Sequence, residues 1–302
     1  LVFDGLNLFF RNFAVMNMIN SEGIHVGGLG GFLRSLGAMI RQIEPTEVYI
    51  IMDGEGSTHN RKNLIPEYKG NRGVTRITKH LVFESLDDEE DSKIDQIVRV
   101  IQYLKLLPIK TLILEKVEAD DVISFLSKNI ELKDKDKYFI LSSDKDFLQL
   151  INNHTVVYRP MEKRFYTSKT VKEVFDCYPQ NFIIYKTLIG DNSDNLPGIK
   201  GMGKGKIFKL FPELLREEVV TLKDIYDISV DKFKDNVIYA RIVNGYKNLE
   251  KQFRVMDLEA PMITSQGEKY LREAIKEKTP ELQTNLFLNL YRQDDLGSII
   301  RN

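Results

Sequence analysis

Short apolar runs rich in β-branched residues alternate with helical patterns through the first half of this chain, and that alternation leaves few folds open. Val2-Phe3 reads as the end of a strand, Glu47–Met52 as a buried strand, and Thr111–Leu114, Tyr138–Leu141 and Thr155–Tyr158 as three more. Between them Phe32, Leu36, Met39, Ile40 and Ile43 keep helical spacing, as do Ile94, Ile97, Val98, Ile101 and Leu104. Strands separated by helices pair in parallel, with helices on both faces. The expected class is α/β, a mainly parallel sheet flanked by helices. From about Thr187 strands give way to a glycine-rich turn, Gly198-Ile-Lys-Gly-Met-Gly-Lys-Gly205, and then to helical sequence as far as about Met256. The remaining tail, 258–302, is mixed in pattern and suggests no role.

A length of 302 residues accommodates one large α/β domain or two modest ones. With 42% hydrophobic and 29% charged residues the chain reads as globular, and no apolar run is long enough to cross a bilayer, so no membrane partner is expected. The first residue is Leu1 rather than Met, which suggests a missing upstream piece, and Leu1-Val2-Phe3-Asp4 is too short for a signal-peptide core. The lone Cys177 excludes an internal disulfide and fits a reducing cytoplasm. With four histidines and no thiol cluster, zinc is not expected. A net charge of −1 argues at first against nucleic acid, but the total conceals the distribution. Acid gathered around bound cations leaves the basic residues free to form a separate phosphate-binding surface.

The placement of the acids is the informative feature. Asp4 ends the first strand and Asp53 follows the second; Glu118, Asp120 and Asp121 follow the third, and Asp144 and Asp146 the fourth. In an open parallel sheet the carboxyl ends of the strands share one edge, so these seven acids converge there. Asp191 and Asp194, in Gly190-Asp-Asn-Ser-Asp-Asn195, make nine. Singly, each has a plainer reading as a turn residue, a helix cap or a partner of a helix N-terminus. Those readings do not explain why acids follow four successive strands. Crowded carboxylates repel and resist ionisation, and hard divalent cations such as Mg²⁺ or Mn²⁺, which prefer oxygen ligands, relieve the repulsion. Two or more ions are expected, and a pair ~3.5–4 Å apart can activate water and stabilise the leaving oxygen of a phosphodiester.

A long polar connection separates Asp53 from the helix at Ile94, and its first part is basic: His59, Arg61, Lys62, Lys69, Arg72, Arg76, Lys79 and His80, with Glu67 the only acid. Beside an acidic edge such a loop can hold a phosphate backbone over the ions, and Tyr68 offers a face on which a base could stack. A solvated surface loop is the plainer alternative. The acid run Asp87–Asp91 reads as a solvated turn or helix start. In the glycine turn, Gly198, Gly201, Gly203 and Gly205 let backbone amides approach phosphate, and Lys200, Lys204 and Lys206 add positive charge. That suits duplex binding through one strand's backbone, against the alternative of a tight turn between packed helices.

Taken together these segments resemble the structure-specific 5′ nucleases: flap endonucleases, phage 5′→3′ exonucleases and the 5′ nuclease domain of bacterial DNA polymerase I. The likeness is carried by Val2-Phe-Asp-Gly-Leu-Asn7, Met52-Asp-Gly54, Glu67-Tyr-Lys-Gly-Asn-Arg72, Val117-Glu-Ala-Asp-Asp-Val122, Ser142-Ser-Asp-Lys-Asp-Phe-Leu-Gln149, Gly190-Asp-Asn-Ser-Asp-Asn-Leu-Pro-Gly198 and the glycine turn. It implies a PIN-like nuclease domain over 1–186 with a helical arch near 59–93, a helix-hairpin-helix (H3TH) duplex-binding module over 187–257, and a C-terminal extension over 258–302. It implies Mg²⁺ or Mn²⁺ at Asp4, Asp53, Glu118, Asp120, Asp121, Asp144, Asp146, Asp191 and Asp194. Asp53 and Asp144 count with Lys69 and Arg72 as catalytic, the latter two entering from the arch to stabilise the scissile phosphate. Tyr68, Arg76 and Lys79 join them as DNA contacts, and the hairpin matching Gly198–Gly205 holds a monovalent cation such as K⁺. Gly27-Gly-Leu-Gly-Gly31 looks similar to a family segment near the duplex junction.

The implied activity is hydrolysis near single/double-strand junctions, on 5′ flaps, 5′ ends and RNA primers in replication and repair, by a monomer in the cytoplasm of a cell or of a phage's host. Replication proteins are possible partners, and RNA–DNA hybrids possible substrates. Two other readings compete. A PIN-type ribonuclease on single-stranded RNA shares the acid edge but needs neither hairpin nor arch. A non-catalytic binder of branched DNA gains nothing from anionic charge facing phosphate. A haloacid-dehalogenase-like phosphatase also uses a strand-end Asp, but Asp4-Gly-Leu-Asn7 lacks the second Asp two residues on.

Overall fold

A computed structural model of the chain describes residues 1–73, 75–78 and 82–297. Six strands form one sheet in the order β3-β2-β1-β4-β5-β6: β1 (Val2–Asp4), β2 (Tyr49–Asp53), β3 (Lys110–Leu114), β4 (Tyr138–Leu141), β5 (Thr155–Arg159) and β6 (Arg164–Tyr166). The first five run parallel and β6 closes the edge antiparallel to β5. The register sets Phe3 beside Ile50 and Leu141, and Asp53 beside Leu114. Chain order reverses between β1 and β4, the switch point at which open α/β sheets leave a crevice for ligands. The five strands expected from the sequence are all present, and the α/β class holds. The three-residue β6 was not expected.

Alternate strand residues enter two cores. Val2, Tyr49, Ile51, Leu112, Ile140 and Val157 pack on one face against α5 (Ala119–Asn129), α6 (Ser168–Phe175) and α11 (Ser265–Lys276). Phe3, Ile50, Met52 and Leu141 pack on the other against α1 (Gly5–Val15), α2 (Gly27–Ile43), α4 (Leu86–Leu104) and α12 (Thr284–Gln293). The glycines of 27–31 open α2 and are buried, where Cβ atoms on Gly28 and Gly31 would strike Phe9 and Asn12. The tail thus acquires a structural role that its sequence did not reveal. After Met256 it crosses back, supplies Leu258 and Leu271 to one face and Tyr291 and Leu296 to the other. Asp294 then receives Arg99 Nη2 at 2.6 Å and the Tyr103 hydroxyl at 2.7 Å.

A third core joins α7 (Pro179–Ile189), α8 (Lys204–Leu210), α9 (Leu222–Asp231) and α10 (Val237–Met256). The change to helix at about Thr187 is therefore real, although α7 begins earlier. Between 59 and 93 the helical arch is not seen among the described residues. Helix occurs only in α3 (His59–Leu64) and from Leu86 onward, where Ser85 and Asp88 form a capping box and the acid run fills the first turn. Between them the Ile77 and Thr78 amides donate to Glu89 at 2.8 and 3.3 Å. Among the described residues, no helix is long and apolar enough to cross a membrane.

Candidate active site at the carboxyl edge of the sheet

Asp4 is both the last residue of β1 and the cap of α1. Its Oδ1 accepts the Asn7 amide at 3.2 Å and its Oδ2 the Ser142 hydroxyl, arriving from the end of β4, at 2.8 Å. Burial, reinforced by Asp53 and Asp144, pushes the Asp4 carboxyl up to about 7 against the pull of those two hydrogen bonds. Asp53 opens to solvent at the end of β2, and its Oδ1 accepts the Ala119 amide at 2.7 Å. The protein around its inner side, then Glu118, raises its pKa, opposed by Lys69 and Arg61. Gly54 follows because the chain there lies against β3, where a Cβ would stand 1.7 Å from the Leu114 carbonyl oxygen. Asp120, in the first turn of α5, takes no hydrogen bond from the described residues. Burial, then Asp144 and Asp4, raise its pKa well above the usual carboxylate range. Asp144 receives the Asp146 amide at 2.8 Å and gives its own amide to Ser142 Oγ at 3.0 Å. These four acids form the centre of the edge.

Around them the acids are paired with cations of the chain itself. Glu118, 2% exposed, accepts Lys69 Nζ at 2.9 Å and the Tyr68 hydroxyl at 3.1 Å, with Arg61 Nη1 at 3.3 Å. Asp121 is fully engaged: Arg61 grips both oxygens at 2.5 and 3.2 Å and the Met262 amide reaches Oδ1 at 2.9 Å. It acts on the site through Arg61, whose Nε also donates to the Val255 carbonyl at 2.9 Å. Lys186 of α7 bridges Asp146 and Asp191, the latter at 2.7 Å. Although burial opposes it, the Lys186 ammonium and the Ser193 hydroxyl hold the Asp191 carboxyl down at about 2. Asp194 receives Arg72 Nη2 at 2.7 Å. Burial raises the Asp194 pKa in spite of Lys69 and Arg72.

All nine acids therefore lie along the crevice or are tied to it through Arg61 or Lys186. Among the described residues no three acid, histidine or cysteine side chains stand as a ready metal cage. The donors are nonetheless all hard carboxylate oxygens, and raised pKa values at Asp4, Asp53 and Asp120 mark a field that divalent cations relieve. The donor set fits such ions.

The basic segment reaches this edge by a backbone zipper. The Lys69 amide donates to the Asp194 carbonyl at 3.0 Å, Asn71 Nδ2 to the Asn192 carbonyl at 2.7 Å, and Asn195 Nδ2 to the Glu67 carbonyl at 2.8 Å. Lys69 itself adopts a left-handed φ of 54°. Tyr68 corrects an expectation. It is 2% exposed within the third core, so its ring cannot stack on a base, and its hydroxyl instead serves Glu118 and Asp194. Arg76 turns to Glu89 at 3.6 Å. Lys79 and His80 lie outside the described residues. In the glycine turn Gly198 and Gly201 take φ of +59° and +85°, and Gly203 precedes α8, which Lys204 and Gly205 open. Lys200, Lys204 and Lys206 are exposed there.

Sequence reasoning missed Lys186, Ser142 and the role of Arg61. A lysine inside the apolar helix 179–189, five residues before Asp191, was the available signal for the first. Arg61 was legible only as one more basic loop residue.

The fold and this edge define a resolvase-like α/β protein with an acid-lined crevice. The sequence family described as 5′-3′ exonuclease, N-terminal resolvase-like domain, matches residues 1–176. The 5′-3′ exonuclease of Aquifex aeolicus is 32% identical over 203 residues, 67% of this chain and 65% of that protein. DNA polymerase I of Bacillus subtilis is 31% identical over 243 residues, 78% of this chain but 25% of the polymerase. The chain thus spans a quarter of that polymerase and somewhat under two thirds of that exonuclease. Among solved structures, bacteriophage T5 5′-exonuclease with divalent zinc ions bound superposes with a TM-score of 0.70 at 19% identity, covering 97% of this chain and 98% of that one. Human GEN1 in complex with Holliday junction DNA gives 0.60 at 14% identity, over 97% and 66%. These likenesses are of fold. The chain belongs to the 5′-3′ exonuclease family.

Proposed function

We propose that this protein is a divalent-metal-dependent 5′ nuclease that hydrolyses phosphodiester bonds near junctions of single- and double-stranded DNA, releasing 5′ flaps and shortening 5′ ends. The observation that carries the reading is the mutual electrostatic influence of Asp4, Asp53, Asp120 and Asp144 at the carboxyl edge of the sheet, with Lys69 and Arg72 paired to the neighbouring Glu118 and Asp194. The relatives named as 5′-3′ exonucleases support it. So does the T5 flap endonuclease, solved with DNA and metal ions.

Two or more ions, Mg²⁺ or Mn²⁺, would be held by the central acids directly and by Glu118, Asp146, Asp191 and Asp194 directly or through water, while Asp121, expected as a ligand from the sequence, is taken up by Arg61. Bound there, they supply an activated water and charge stabilisation for the leaving 3′ oxygen. The chain's own residues do the rest. Ser142 and Asn7 fix Asp4, Arg61 fixes Glu118, and the Asp194 loop holds the backbone of Lys69. Lys69 and the half-exposed Arg72 exchange their present acids for the oxygens of the scissile phosphate, where charge grows during the reaction. Helices α7 to α10 act as the H3TH module: amides of the 198–205 turn and Lys200, Lys204 and Lys206 hold one strand of the duplex, and K⁺, if held by the turn, would add positive charge there. The substrate class is DNA with 5′ flaps or ends, extending to RNA–DNA hybrids, cut by a monomer in the cytoplasm.

A 5′-labelled flap duplex incubated with and without Mg²⁺ tests this. Release of the whole flap marks endonuclease cutting and release of mono- or dinucleotides marks exonuclease cutting. An intact label in both conditions refutes the reading.

A further inference from the structure

The short 3-10 helix Asp146–Leu150 carries an acid of the edge on its first residue and a buried amide on Gln149. Gln149 is 6% exposed, and both its amide hydrogens and its oxygen are engaged. Nε2 donates to the Asp146 carbonyl at 2.9 Å and to the Met256 carbonyl at 3.1 Å, and Oε1 accepts the Leu258 amide at 3.0 Å. Two carbonyls and one N–H leave the side chain a single orientation. One residue thus joins the acid-bearing helix to the place where α10 ends and the tail crosses back. That anchor is itself fixed to α5, because the Leu258 carbonyl accepts the Ser124 hydroxyl and Lys128 Nζ while its side chain lies in the core.

From Gln149 hydrogen bonds run on to the central acids. The Asp146 amide donates to Asp144 Oδ1 at 2.8 Å, the Asp144 amide to Ser142 Oγ at 3.0 Å, and the Ser142 hydroxyl to Asp4 at 2.8 Å. Phe147 and Leu148 also hold the short helix down by burial in the core. Apolar packing has no direction, however, and tolerates a small slide or rotation that an amide bonded at three points does not. Metal ligation is sensitive to such movement, because the partners behind a ligand set its orientation.

We propose that Gln149 is a positioning residue of the nuclease site: it fixes the Asp146 peptide, and through it the Asp144 carboxylate, against the end of α10, so that these acids are already oriented when a divalent cation arrives. The inference rests on the reading of the edge as a metal-dependent nuclease site and adds to it a buried amide that acts from beneath the acids.

Asn181 of α7 provides a matched control. It is 0% exposed, and its amide makes the same three kinds of bond, to the Arg216 and Glu218 carbonyls at 3.1 and 2.9 Å and from the Val220 amide at 2.8 Å, but it joins no acid of the edge. Mn²⁺ binding to the full chain without nucleic acid, followed by loss of the free-ion EPR signal, is compared in Gln149→Met and Asn181→Leu. Each change keeps similar volume and removes three buried hydrogen bonds, so both lower Tm. Gln149→Met also weakens manganese binding about tenfold or more, whereas Asn181→Leu leaves it within about twofold. Gln149→Asn, which draws the amide back by one methylene, shifts the affinity in the same direction and carries the comparison if the methionine variant does not fold. Equal loss at the two sites, or full manganese affinity without Gln149, overturns the proposal. Cutting of a 5′ flap by the unaltered protein in Mg²⁺ is scored separately. Cutting together with Gln149-independent manganese binding removes this inference alone, and absence of cutting together with Gln149-dependent manganese binding removes the nuclease reading alone.

Discussion

Arg61 sits where three parts of the molecule meet: the basic segment that carries it, the acids of α5, and the end of α10 at Val255. It is 3% exposed and its partners Asp121 and Glu118 are 1% and 2% exposed. Arg61→Leu leaves the buried Asp121 without its cation and Glu118 with Lys69 alone. Removing one member of a buried pair costs about 3–5 kcal/mol, because the charge left behind stays desolvated. For 302 residues, at ~2.1 cal/mol/K per residue, that loss lowers Tm by about 5–8 °C. Thermal and urea unfolding in EDTA, which keeps stray ions from replacing the guanidinium, read the effect. Adding Asp121→Leu to Arg61→Leu removes the better-paired orphan and recovers part of the stability, so the two changes are strongly non-additive. A Tm within about 1 °C of the unaltered protein, or a double variant whose losses simply add, refutes the assignment of Arg61 as the tie between these parts.

Other expectations follow from the same geometry. Asp144→Asn abolishes flap cutting, by about 10³-fold or more, while duplex binding in Ca²⁺ persists; a near-normal cleavage rate contradicts its role. The Asp4 carboxyl is raised in the fold from 3.8 to about 7, so between those values the folded protein binds the extra proton. Metal-free stability from this group is therefore complete below about pH 4 and lost as pH rises through about 7. Asp4→Asn accordingly raises Tm in EDTA at pH 8 but not at pH 4, and a pH-independent effect excludes the linkage. Gly190 has φ of +88°, with the Leu196 carbonyl oxygen 2.5 Å from where a Cβ would stand. Gly190→Ala costs about 1–3 kcal/mol or more and lowers cleavage by displacing the loop of Asp191 and Asp194, seen as loss of both Tm and activity.

What could be read beforehand was what local pattern determines. Strands β1 to β5 are short runs rich in apolar and β-branched residues, and acids after them need only the parallel rule to be gathered at one edge. β6 escaped notice because three residues between turns carry no period. The start of α4 lies in the acid run, where a capping box rather than apolar spacing sets the boundary. Tyr68 looked like a surface aromatic because its neighbours are charged, and only tertiary packing shows its ring inside the third core. The pairing of Lys186 with Asp146, and of Arg61 with Asp121, spans 40 and 60 residues and has no local signature. The tail likewise gives amphipathic helices without showing which faces of the sheet they cover.

The most direct measurement is a crystal soaked in Mn²⁺ and examined by anomalous scattering. The account predicts density among the carboxylates of Asp4, Asp53, Asp120 and Asp144, at one or two positions. A well-ordered crevice with no manganese at these side chains would contradict it.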